Sequence, residues 1–586
     1  MPLTPTDYVI AGAVVVSLAL AMVACLRALR EGAALARYAA TSAYDVTDLK
    51  AAALLERRGQ PHRNTLVVLT HGWRQGNAEW HRLLAVAGHD EAFACCDVRL
   101  FTYPRRLRQR AGIGELGAAL SDVIELHHGE YDRIILIGYS IGGLITRSAF
   151  LHGLAMIGTP WAGKVSRIVL FGAPNRGFAG PGTPLLQRVS GVVIRALCRG
   201  PFKDMLHGSD FMTRLRLDWV DAYRDPDTPT PSVIQVLGVN DPYVQQGDSR
   251  DLTCFDDAKL CLIQNAKHDL PRFTGLDDDA YRRLRASCFD EIGSVKGDEK
   301  AESPEIPTSV VFQIHGIRDF GGWLAKFAAD VKEAQPGARV IRPRYGYFSA
   351  LGFILPWVRN ERIAWFCDRY TDELALLAAH DRRSRQETGN PLEIPFHLVG
   401  HSYGTYLFAH ALQRYRRMRF VNACLVGSVV PPSYAWQERI PEQLRKLRND
   451  CQSHDWPVAI LCQVLHELLR FKDVGPGGFV GFEGGTPEVI DKKWVAGDHS
   501  ICLRDDGHRQ TIVRFLLEGE EGSMPLIPAP PRWLELASKW AAPMAASAIL
   551  LLAGAVYLLS AFVPVWPLTM CVVGVLVVVL VVLNYA

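Results

Sequence analysis

Metal-ligand spacings are missing from the 586-residue sequence. It has thirteen cysteines but no CxxC pair and no His-rich knot, so the usual zinc sites have nothing to be built from. The cysteines are scattered, with one adjacent pair, Cys95 and Cys96, a pattern that reads as buried free thiols in a reducing compartment. No block of Lys or Arg stands out and the formal net charge is only +3, so a nucleic-acid partner is not expected. What the chain has in quantity is apolar sequence, 49% of residues against 21% charged, ordinary for globular protein with some membrane-embedded segments. At this length more than one core is expected, because domains rarely grow beyond about 250–300 residues.

Charge is also absent from two long runs. Residues 8–26 carry none, and such a run is just long enough to cross a hydrocarbon core of about 30 Å. A cleaved signal peptide would want basic residues before the run; here the leader MPLTPTD has none, and Arg27, Arg30 and Arg37 come after it, so a retained anchor is expected. Residues 540–585 are likewise uncharged, and FVPVWP at 562–567 breaks that run near its middle, which predicts a transmembrane helical hairpin. Arg27, Arg30, Arg532 and Lys539 all flank the middle region. By the positive-inside rule that region faces the cytoplasm, as in an integral protein of a bacterial inner membrane.

Between the membrane segments one series of signals occurs twice. TLVVLTHGW and SVVFQIHGI are apolar, β-branched runs ending in His-Gly. RIILIGYSIGG and FHLVGHSYGT are strands running through Gly-x-Ser-x-Gly into a helical stretch. VSRIVLFGAP and FVNACLVGSVV are third strands. Short apolar strands alternating with helices predict α/β units with mostly parallel sheets covered on both faces. The expected division is a juxtamembrane linker at 27–62, a first unit at 63–290, a polar Pro-containing linker at 291–308, a second unit at 309–520 and a linker at 521–539.

A Gly-x-Ser-x-Gly match is weak alone and gains weight from the strand–turn–helix context that both copies have. There the glycines leave room for a strained turn. The serine is held above the carboxyl edge of the sheet, at a helix N-terminus whose dipole favours developing negative charge. A serine nucleophile needs a base that a carboxylate orients, and in this context the chain order is Ser, acid, His. For Ser140 the order selects Asp241, after the strand SVIQVLGVND, and His268 in NAKHDLP; His207 comes too early. For Ser402 it selects Asp455 in NDCQSHDW and His499 in VAGDHSICL, with Asp450, His466 and His508 as competitors. The oxyanion donors are expected to be the backbone N–H groups of Ile141 and Tyr403, after the serines, and of Trp73 and Ile317, after the His-Gly strands. His71 and His315 precede the nucleophiles and are expected to shape those loops.

At these residues the chain resembles the α/β-hydrolase superfamily. VVLTHGW, LIGYSIGGLITR and LFGAPNRGF resemble bacterial lipases and lipid esterases, with Ala173 and Asn175 where lipases carry Thr and His; HGIRDF, LVGHSYGT and NDCQSHDW are similar to intracellular serine α/β-hydrolases. The resemblance implies hydrolysis of an acyl-ester or lipid substrate through a seryl acyl-enzyme, with no metal and no organic cofactor. A thioesterase, acyltransferase or peptidase could use the same fold, and so could a pairing of one catalytic unit with one interaction unit. Residues 185–199 and 344–366 are each expected to be either a lid facing the bilayer or a buried helix.

Overall fold

Runs of apolar, β-branched residues become the central strands of two sheets, because a strand covered on both faces is stabilised only if all of its side chains accept burial. The computed structural model describes residues 54–57, 64–72, 78–103, 111–156, 161–178, 200–241, 244, 258–264, 266–268, 273–291, 305–317, 322–343 and 350–560. The expected N-terminal span at 8–26, the lid segment 185–199 and the second half of the C-terminal hairpin lie outside them. By its packing the chain divides into unit 1, residues 1–304 and 371–392, and unit 2, residues 305–370 and 393–586.

Unit 1 holds a seven-stranded sheet. Its strands are β1 (Leu54–Arg57), β2 (Thr65–Thr70), β3 (Cys96–Phe101), β4 (Arg133–Tyr139), β5 (Val165–Phe171), β6 (Ser232–Gly238) and β7 (Ala258–Ile263), in the order β1-β3-β2-β4-β5-β6-β7. Only β1 is antiparallel to its neighbour. Side chains alternate between faces. Leu66, Val68, Ile134, Leu136, Ile168 and Leu170 share one core with helices α1 (Ile113–His127), α2 (Ile141–Ala155) and α3 (Asp210–Arg224). Val67, Leu69, Ile135, Ile137, Val169 and Phe171 face the other core, with Trp80, Tyr281 and Leu284. The first core also takes in Ala375, Ala378 and Ala379. These belong to a 33-residue helix, α4 (Pro356–Thr388), whose residues 371–388 fall in unit 1. There Asp372 pairs with Arg216 at 2.8 Å and Arg176 at 2.9 Å, and Arg382 donates to the Tyr223 carbonyl at 2.8 Å.

Unit 2 holds a six-stranded sheet, parallel throughout. Its strands are β8 (Ser309–Ile314), β9 (Ala338–Ile341), β10 (Phe396–His401), β11 (Phe420–Val426), β12 (Leu444–Gln452) and β13 (Val489–Val495), in the order β13-β12-β11-β10-β8-β9. One face packs Val311, Val399, Cys424 and Val426 against Phe327 and Phe515, from helices α5 (Gly322–Ala334) and α6 (Asp506–Glu518). On the other face the Phe312 ring lies 5.9–6.2 Å from the rings of Phe366, Tyr370, Phe396 and Phe420. Much of the second expected lid segment is therefore core, with Ile363 and Phe366 fully buried.

The two sheets share one connectivity. In each, the first parallel strand (β2 or β8) is followed by an edge-ward strand (β3 or β9), and the chain then returns to the other side for β4 or β10. The reversal makes a crevice outside the carboxyl ends of these strands, where open α/β sheets bind ligands. At the C-terminal end, helix α7 (Arg532–Ser560) buries Leu534, Ser538, Ala541 and Ala542, a single helical stripe, and packs on residues 457–467. Its segment Arg532–Ala555 is, among the described residues, the one helix long and apolar enough to cross a membrane.

Candidate active site

Both Gly-x-Ser-x-Gly serines occupy the same unusual backbone position. Ser140 follows β4 with φ 54° and ψ −126°, and Ser402 follows β10 with φ 51° and ψ −119°. Such conformations cost a non-glycine residue about 1–3 kcal/mol and persist where surrounding contacts over-determine them. The contacts here match in the two units. Ser140 N–H donates to the Phe171 carbonyl and Ser402 N–H to the Val426 carbonyl, both at 2.9 Å; Gly143 and Thr405 N–H donate back to the serine carbonyls at 3.0 Å. A Cβ on Gly142 would sit 2.4 Å from the Thr70 oxygen, and one on Gly404 2.4 Å from the Ile314 oxygen. Only glycine lets the helix after the serine approach the end of the first parallel strand this closely. The new helices, α2 and α8 (Tyr403–Arg414), begin at Ile141 and Tyr403, directly after the serines.

The His-Gly loops come up against the two serines. A Cβ on Gly72 would lie 3.1 Å from Ser140 Cβ, and one on Gly316 2.7 Å from Ser402 Cβ. His71 Nδ1 lies 2.7 Å from the Gly72 oxygen and His315 Nδ1 2.9 Å from the Gly316 oxygen. Both imidazoles thus fold back on their own loops. Tyr103 stacks on His71 at 4.0 Å and donates from its hydroxyl to the His71 carbonyl at 2.7 Å. Ile317 sits in the turn after Gly316; Trp73 lies outside the described residues.

In unit 1 the other two expected residues converge on the serine. His268 Nε2 is 3.1 Å from Ser140 Oγ, and His268 Nδ1 is 2.7 Å from Asp241 Oδ2. The buried Asp241 is fixed by its second oxygen, which accepts the Val244 N–H at 2.9 Å. Unit 2 repeats the arrangement around its acid. His499 Nδ1 is 2.7 Å from Asp455 Oδ2, and Asp455 Oδ1 accepts the Val458 N–H at 3.1 Å. The His499 ring lies over Gly427, just beyond β11, where a Cβ would be 2.5 Å from its Cε1. That is one residue past the Val426 carbonyl to which Ser402 is bonded, so His499 and Ser402 share the same end of the sheet.

The competitors are engaged elsewhere. His466 Nδ1 faces the Val474 carbonyl at 2.8 Å, and His508 lies 3.4 Å from Asp505 at the start of α6. Asp450 makes a fully buried pair with Arg448 at 2.7 Å; burial opposes the Arg448 charge, but the Asp450 carboxylate outweighs it and raises its pKa. Asp450→Ala is therefore expected to lower unfolding stability by about 3–5 kcal/mol, the usual cost of stranding a buried charge. Denaturant titration measures that loss, while the labelling of Ser402 in the folded fraction stays intact. Thiols offer no alternative nucleophile near β11 and β12: burial raises the pKa of Cys424, Cys451 and Cys502 well above the usual range, keeping them protonated.

Sequence reasoning passed over the residue before each serine. The Tyr139 hydroxyl donates to the His268 carbonyl, with the rings 5.4 Å apart. His401 Nε2 lies 3.3 Å from the His499 carbonyl oxygen, which it contacts as an N–H donor, with the rings 4.8 Å apart. In both units this side chain props the imidazole-bearing loop. The signal available in sequence was a polar aromatic ring at the same motif position in both copies.

No protein-family model matches the chain, and no curated protein matches it. Solved structures do. A monoacylglycerol lipase from Paleococcus ferrophilus is 17% identical over 40% of this chain and 96% of its own, with a TM-score of 0.29. An esterase from Rhodococcus sp. is 20% identical over 42% of this chain and 97% of its own, at 0.26. A membrane phospholipase A described as a bacterial virulence factor is 12% identical over 48% of this chain and 97% of its own, at 0.24.

Proposed function

We propose that the chain is a membrane-anchored serine hydrolase of two tandem α/β-hydrolase units, each cleaving acyl esters at its own Ser-His-Asp triad. The observation that carries this reading is the hydrogen-bonded series from Ser140 Oγ through His268 to Asp241, at 3.1 and 2.7 Å, together with the same Asp–His pair beside the strained Ser402.

In each unit the serine Oγ attacks the ester carbonyl while imidazole Nε2 takes its proton. The carboxylate accepts Nδ1–H, which fixes the tautomer and stabilises the imidazolium. The tetrahedral oxyanion sits against the N–H of Ile141 or Tyr403 and against that of Trp73 or Ile317; each such donor contributes about 2.7–4 kcal/mol to the transition state. Collapse breaks the bond to the alkoxy oxygen, which leaves as alcohol with the imidazole's proton. Water, deprotonated by the same imidazole, then releases the acid and restores the serine. A span at α7 holds the units at a bilayer, where local concentration favours lipid esters.

The test is labelling of the full chain with a fluorophosphonate, which phosphonylates an activated serine whatever the substrate. Peptide mapping should recover label at both Ser140 and Ser402. An unlabelled chain that is folded by circular dichroism removes the proposal.

A further inference from the structure

The exposed apolar side chains on the body of unit 2 are concentrated in one stretch. Trp456, Leu461, Leu469 and Val480, 40–60% exposed, fall within residues 456–480, whereas Ile306 and Leu526 are the other large exposed apolar residues among those described in 305–531. The stretch begins next to Asp455, whose carboxylate both holds His499 and accepts the Val458 N–H. It is therefore tied directly to the triad. Residues 457–467 are also the surface on which the first turns of α7 pack. Beyond that contact α7 runs on exposed, from Met544 through Leu551 to Leu558.

These features together select a bilayer as the occupant of this surface. Trp533 and Trp540 are 60% and 59% exposed on the part of α7 that still touches the body, and exposed tryptophans mark the level of lipid headgroups on a spanning helix. That level is where residues 457–467 lie against it. Exposed Arg470, Lys472, Arg532 and Lys539 occur in the same two segments as the apolar positions, against exposed Glu467 and Glu535. Apolar side chains set among basic ones are the composition of segments that lie in a membrane interface.

We infer that residues 456–480 seat unit 2 on the lipid surface beside its own span, so that the Ser402 site takes its acyl ester from the membrane rather than from solution. This rests on the reading of unit 2 as an ester hydrolase and of α7 as a span. It narrows the substrate of unit 2 to a membrane-resident lipid ester and names the surface that meets it.

The test uses the full chain in membranes, with a benzophenone photo-crosslinker placed at Leu461, at Leu469 or, as a control of similar exposure in unit 1, at Leu276. Mass spectrometry should find phospholipid adducts at Leu461 and Leu469 well above those at Leu276. In a Ser140→Ala background, Leu461→Ser with Leu469→Ser should lower the rate on a long-chain ester in phosphatidylglycerol vesicles about tenfold more than the rate on a dissolved short-chain ester, as expected from losing partial burial of two leucines. Adducts no higher than at Leu276, or adducts to protein instead of lipid, overturn the inference even if Ser402 still takes the fluorophosphonate. A chain whose Ser402 takes no label while the lipid adducts persist overturns the hydrolase reading and leaves the bilayer contact supported.

Discussion

Ser140→Ala in the full chain is expected to abolish labelling at LIGYSIGG and to lower ester turnover by unit 1 by about 10⁴–10⁶-fold, the usual loss when a triad nucleophile is removed. Turnover is read in a Ser402→Ala background so that the second site does not mask it. The expectation comes from geometry: Ser140 Oγ lies 3.1 Å from His268 Nε2, whereas the neighbouring Tyr139 hydroxyl is engaged by the His268 carbonyl. Alanine fits this backbone as well as serine does, so the fold should persist and the loss should be chemical. The reciprocal change, Ser402→Ala, should remove label only from LVGHSYGT, and the double variant should take none. Label at Ser140 alone would make unit 2 a binding or regulatory unit. Label at Ser402 that depends on Ser140 would mean coupled sites, against two independent enzymes.

These measurements belong in the intact chain. Residues 371–392 follow the His-Gly strand of the second unit in sequence, yet Ala375, Ala378 and Ala379 lie in the first unit's core. A fragment ending in the polar linker would lack these members of the first core and the Asp372 partner of Arg216. The reason sequence could not show this is visible in α4. The helix runs unbroken across the division at residue 371, and local periodicity does not say which sheet a helix face will meet.

Strand pattern was far more legible. TLVVLT and RIILIGY are largely apolar on both faces, bounded by Gly or polar residues, and became central parallel strands because burial from both sides is their lowest-energy setting. The serine turns were legible for a steric reason: Gly142 and Gly404 stand where any Cβ would strike a carbonyl oxygen. The candidate acids were legible only through chain order. What fixes Asp241, the Val244 N–H bond, depends on loop backbone that composition does not specify, whereas Asp455 accepts the Val458 N–H at the start of the helical segment Pro457–Cys462. The role of Tyr139 and His401 stayed hidden because it is a contact to a carbonyl over 90 residues away in sequence.

The remaining large effect concerns the acids. Asp455→Asn is expected to lower turnover by unit 2 about 10⁴-fold with little change in stability, and Asp241→Asn to do the same in unit 1. Asparagine matches the carboxylate in shape, and its amide oxygen can still accept the Val458 N–H. Its NH₂ group, however, would then face His499 Nδ1, where Asp455 Oδ2 now sits at 2.7 Å. Two donors cannot share that contact, so the imidazole must give up its Nδ1 proton and carry it on Nε2. A ring protonated at Nε2 cannot take the serine's proton, and an imidazolium formed there would have lost its counter-charge. The competing assignment predicts the reverse: were Asp450 the acid, Asp455→Asn would leave turnover nearly intact and Asp450→Asn would destroy it. Measuring kcat for both variants in the Ser140→Ala background, with unfolding midpoints alongside, separates the two. A loss of turnover in Asp455→Asn that simply follows a loss of folded protein would remove Asp455 from the triad.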